Sequence, residues 1–81
     1  ADAVALVRDL RTVTAGSALP DATRASLAAL EDGCNEMTLC SLVRALYSDR
    51  PLLADDLFAA LLGRVRVTLR ADIDRRMAFS A

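Results

Sequence analysis

Cys34 and Cys40 are the chain's two cysteines, and no histidine accompanies them. A thiolate becomes a nucleophile or a metal ligand only with help from a base, a positive neighbour or further ligands. The pair is spaced too widely for the C-x-x-C redox pattern, and two thiolates without imidazole make half of a tetrahedral zinc site. The absence of His also removes the commonest general acid or base, and with it most hydrolase, transferase and zinc-enzyme constellations. Gly16, Gly33 and Gly63 fall in no G-x-G-x-x-G, Walker A or G-x-S-x-G pattern. The paired carboxylates Asp55-Asp56 and Asp72/Asp74 stand near expected helix starts, where compensation of the helix dipole accounts for them. These residues lead to the expectation of no enzyme, with no catalytic, metal-binding or cofactor-binding residue and no cofactor. Cys34 and Cys40 are expected to be reduced thiols of a cytoplasmic domain.

Charge carries more information than nucleophiles do. Ten basic residues, all Arg, stand against eleven acids, for a net charge of -1. Residues 1–40 hold three Arg and six acids, and residues 41–81 hold seven Arg and five acids. Most of the asymmetry lies in two clusters, an acidic corner at Glu31, Asp32 and Glu36 and a basic one at Arg64, Arg66, Arg70, Arg75 and Arg76. Asp72 and Asp74 are the acids interspersed among those arginines. If the clusters lie on different faces, copies can join head to tail through Arg-carboxylate contacts. If they share a face, they cancel internally, and the plain alternative is a solvated surface with local ion pairs. Another protein domain, which includes a second copy of the chain, is therefore the expected partner. The near-zero net charge and missing Lys give no general pull toward phosphate, so no nucleic acid is expected. No apolar run approaches the ~18 residues of a membrane span, so no membrane is expected.

These side chains must be positioned by a small core. The chain has 81 residues, 54% of them hydrophobic, enough for one domain spanning 1–81 that folds on apolar burial. It starts Ala1-Asp2-Ala3-Val4 without Met, a basic n-region or a long apolar run, and is expected to be excised from a longer protein. Ala3, Leu6, Val7, Leu10 and Val13 recur at helical spacing. Gly16 and Ser17 break that pattern, and Pro20 suits the first position of a second helix, which would end at Gly33 in a left-handed cap. Asn35 or Thr38 can cap a third, central helix with the stripe Leu39, Leu42, Val43, Leu46. Pro51 can restart a fourth, whose face is Leu53, Leu57, Phe58, Leu61, Leu62 and Val65. Residues 65–74 are ambiguous: Val65, Val67, Leu69, Ala71 and Ile73 alternate at period two as in a strand, yet Leu69, Ile73 and Met77 also recur at four. No second segment offers a pairing strand, so a last helix from about Thr68 to Phe79, capped by Thr68, is preferred over an intermolecular strand. The expected fold is all-α, a compact antiparallel bundle of about five to six short helices. Its expected core is Leu10, Leu42, Leu46, Leu57, Leu61 and Leu62.

The stretches Leu42-Val43-Arg44-Ala45-Leu46, Leu57-Phe58-Ala59-Ala60-Leu61-Leu62 and Arg70-Ala71-Asp72-Ile73 resemble helices four, five and six of the death effector branch of the death-fold superfamily, the last matching its R-x-D-L motif. The resemblance covers about half the chain. It implies a surface charge network in which Arg70 and Asp72 join an acid of helix two, where this sequence aligns Ser26. The Arg-only, Ala- and Leu-rich alphabet suggests a GC-rich coding source, and the architecture is similar to the death-like adaptor domains of bacterial conflict systems, which recruit effectors by homotypic contact. The function so implied is a non-enzymatic adaptor in signalling or defence. A small helical nucleic-acid-binding module using residues 51–76 and a symmetric dimerisation segment are the alternatives.

Overall fold

The structure, a computed structural model, describes residues 2–80, with side chains from Ala3 to Phe79. Four α-helices follow one another: α1 (Asp2–Thr14), α2 (Asp21–Asp32), α3 (Glu36–Ser48) and α4 (Asp55–Ser80), with a 3-10 turn at Arg50–Leu52 before α4. Every regular element among the described residues is helical, as the spacing predicts. The count differs from the five to six short helices expected, because the fourth and last helices are one 26-residue helix.

The reason is local. Thr68 does not cap anything; its hydroxyl donates back to the carbonyl oxygen of Arg64 at 3.2 Å, a bond made only inside a continuing helix. Gly63 costs about 1 kcal/mol relative to Ala but does not break the backbone. The period-two alternation of residues 65–74 is overridden because a lone strand would leave both edges unpaired, whereas a helix satisfies its amides internally.

Helix ends follow the capping residues with small shifts. Gly16, at φ +77, takes the left-handed conformation after α1. Pro20 is the residue before α2 rather than its first member, and has no side-chain oxygen to cap it. Gly33 is extended (φ -168), so the expected left-handed cap of α2 is not formed, although its N–H still donates to the Ala29 carbonyl at 3.1 Å. Asn35 and Thr38, read as alternative caps, act together in one capping box. The Asn35 Oδ1 accepts from the Thr38 N–H at 3.0 Å, and the Thr38 Oγ1 accepts from the Asn35 N–H at 2.9 Å. Pro51 lies in the 3-10 turn and α4 begins four residues later, with Asp55 and Asp56 in its first turn.

The core joins all four helices: Leu6 and Leu10 from α1, Leu30 from α2, Leu39, Leu42 and Leu46 from α3, and Phe58, Leu61, Leu62 and Val65 from α4, with Leu53 between. Of the six leucines expected there, Leu57 is only half-buried, at the edge of the cluster. α3 is the hub, packing on α2, on the 3-10 turn and on α4, while α1 packs on α4. The molecule measures 43 × 21 × 19 Å, and its long axis is set by α4, which at 1.5 Å per residue is about 39 Å long. The other helices run only about 18–20 Å. The last turns of α4 therefore pass beyond the packed core. Among the described residues no helix is long and apolar enough to cross a membrane.

Candidate functional site

The inner stripe of α4 changes character along its length. Phe58, Leu61, Leu62 and Val65 are buried and Leu69 is half-buried, but the next positions on that face are Asp72 and Arg76. There α4 passes the loop between α2 and α3, and the Arg76 guanidinium meets the Glu36 carboxylate at 2.6 Å. Asn35, Glu36, Asp72, Arg75 and Arg76 line one open pocket at this junction. The basic cluster and the acidic corner thus touch within a single chain.

Each expected interaction residue can now be placed. Arg64 is half-buried; its Nε donates to Asp9 Oδ2 at 2.6 Å and its Nη1 to the Ala60 carbonyl at 3.0 Å, tying α4 to α1. Arg70 pairs along its own helix with Asp74 at 3.3 Å, and Asp72 pairs with Arg75. The network of Arg70 and Asp72 implied by the death-fold resemblance is thus divided between two intrahelical pairs. Glu31 is held by Arg11 of α1 at 2.7 Å. Arg66 and Asp32 are exposed. Two of the three acids of the corner are therefore occupied by arginines of the same chain, Glu31 toward α1 and Glu36 toward α4.

The Arg11–Glu31 contact has a titration signature. The hydrogen bond from Arg11 holds the Glu31 carboxyl below its ordinary range, and its own guanidinium is raised by the same bond. With the folded value depressed, the stabilisation is present above the ordinary glutamate pKa and is lost as pH falls through the folded value. In Arg11→Ala, the NMR-detected midpoint of Glu31 is expected to rise toward the unperturbed range; an unchanged midpoint would show that the contact is not made in solution.

Both cysteines are free thiols. Burial, and secondarily the charge of Asp72, pushes the half-buried Cys34 thiol up, away from the reactive thiolate. Cys40 is exposed on α3. Among the described residues no group of three or more His, Cys, Asp or Glu side chains is placed to hold a metal ion. The clefts are shallow. One of about 240 Å³ between α1 and α2 is lined by Leu10, Leu19, Leu27 and Leu30 with the Arg11–Glu31 pair at its rim. A wider groove of about 520 Å³ between α1 and α4 is lined chiefly by Ala5, Ala59, Ala60, Gly63 and Val67.

Two features escape a residue-by-residue reading. The first is a buried polar link: Asp49, at the C-terminus of α3, accepts through Oδ2 from the Thr23 N–H at 2.7 Å and from the Thr23 hydroxyl at 2.8 Å. It caps α2 from outside, in place of Pro20. The second is the outward face of α4, where Val67, Arg70, Asp74 and Met77 follow at intervals of three and four and all are exposed. That spacing is written in the sequence, but it is visible only once residues 55–80 are known to be one helix. Ile73 and Phe79 add to the apolar surface exposed beyond the core. Compared with protein-family models, with curated proteins and with solved structures, the chain matches none.

Proposed function

We propose that this chain is a non-enzymatic protein-interaction module that associates with a second copy of itself, as an adaptor unit in signalling or defence. One observation carries the reading: of the eight large apolar side chains exposed among the described residues, four, Val67, Ile73, Met77 and Phe79, stand on α4, the last three of them beyond the buried stripe that ends at Leu69. Several large apolar side chains left exposed on one helix offer a surface that another protein can cover. The homotypic contacts implied by the death-fold resemblance point the same way, and a cytoplasmic setting would keep Cys34 and Cys40 reduced.

Sedimentation equilibrium over a concentration series should show the weight-average mass rising above that of the monomer at high protein concentration. A mass that stays monomeric at the highest concentrations would overturn the reading. Tight binding to random-sequence DNA with a steep salt dependence would put the nucleic-acid alternative in its place.

A further inference from the structure

The outward face of α4 is chemically palindromic. Val67, Arg70, Asp74 and Met77 form a three-four-three stripe, the spacing at which one helix seam meets another. Laid antiparallel on a copy of itself about a two-fold axis at position 72, the stripe places position 67 opposite 77 and position 70 opposite 74. Apolar then meets apolar and arginine meets aspartate, twice each.

We propose that two copies pair through this stripe, α4 antiparallel to α4, with Arg70 of each copy against Asp74 of the other and Val67 against Met77. The inference rests on the self-association proposed above and assigns its surface. Charge complementarity selects both the partner and the geometry. A parallel pairing sets Arg70 against Arg70 and Asp74 against Asp74, and an antiparallel pairing slipped by one heptad sets Val67 against Arg70. In the chosen register the residues flanking the axis are Ile73 on one side and Ala71 on the other, each facing its own copy, so the seam is bordered by apolar side chains. The face is open to receive a partner. The side chains of Arg70 and Asp74 are 79% and 64% exposed, and their contact within one helix is a solvent-screened pair at 3.3 Å. Exchanging it for the same pair across a seam costs little. The acids of the other cluster are less available, since Glu31 and Glu36 already hold Arg11 and Arg76. The seam from 67 to 77 is only about 15 Å long, so the dimer is weak and forms at high concentration.

Charge reversal followed by sedimentation equilibrium at low salt tests the register. Arg70→Glu and Asp74→Arg should each raise the dimer dissociation constant about tenfold or more, because each creates two like-charge contacts across the seam. The two variants mixed in equal amounts should recover wild-type association: the new glutamate at position 70 meets the new arginine at position 74, and the native Asp74 meets the native Arg70. The double variant Arg70→Glu/Asp74→Arg should self-associate like the wild type. Helical circular dichroism should be unchanged throughout, since both positions are exposed. Wild type that dimerises while Asp74→Arg has no effect, or mixing that restores nothing, would overturn the seam and leave self-association standing. Weakening by Glu31→Arg together with indifference to Asp74→Arg would point to a head-to-tail contact and overturn it equally. A wild type that is monomeric under all conditions would remove the proposed function itself.

Discussion

Replacing Leu46 by Ala is expected to lower the unfolding free energy by about 2–5 kcal/mol. Leu46 has no accessible surface and lies in the last turn of α3, the helix that packs on α2, on the 3-10 turn and on α4. Truncation removes the transfer free energy of the lost methyl groups and leaves a cavity that helices held on several sides cannot close. A domain of this size is stable by about 4–12 kcal/mol, so the variant loses a large part of its margin. Urea denaturation followed by circular dichroism would read the effect as a fall in midpoint with little change in slope. A midpoint equal to that of the wild type would mean that α3 is not the hub of the core.

Asp49→Ala is expected to cost about 2–3 kcal/mol, although Asp49 belongs to no apolar stripe. An acid at a helix C-terminus is unfavourable to the dipole of its own helix. Here the Asp49 carboxylate turns instead to the N-terminus of α2, where Pro20 leaves the capping position without a side-chain acceptor. Thr23 is completely buried and Asp49 nearly so. Removing the carboxylate strands a backbone N–H and a hydroxyl where water does not reach. Asp49→Asn keeps an acceptor and should lose less than Asp49→Ala. Thr23→Val removes the hydroxyl but keeps the amide bond, so a double-mutant cycle with Asp49→Ala should return a coupling of about 1 kcal/mol or more. Additive effects would show that the Thr23 hydroxyl does not share a bond with the carboxylate, and an Asp49→Ala variant as stable as the wild type would withdraw the external cap of α2.

The contrast between Leu46 and Asp49 marks where local pattern stops being informative. Leu39, Leu42 and Leu46 declare themselves by spacing, because a helix turns its sequence into faces by a constant rotation and an apolar face must be buried. The Asn35–Thr38 box and the break at Gly16 are equally local: a few neighbouring residues satisfy, or relieve, their own backbone. Asp49 reads only as a turn residue, since its partner lies 26 positions earlier and is brought to it by packing. Glu36 and Arg76 read as members of opposed patches, and their contact follows from where α4 passes the loop before α3.

The sequence by itself therefore determined the all-α class, most helix starts and five leucines of the core, Leu10, Leu42, Leu46, Leu61 and Leu62, all consequences of helical period and capping chemistry over a few residues. Tertiary structure decided that residues 55–80 are one helix rather than two helices or a strand, which acids neutralise which arginines, and which face of α4 is left uncovered. Those outcomes depend on free energies shared between distant segments: the burial available to a helix packed on α1 and α3, and charges whose nearest neighbours exist only after the chain has folded.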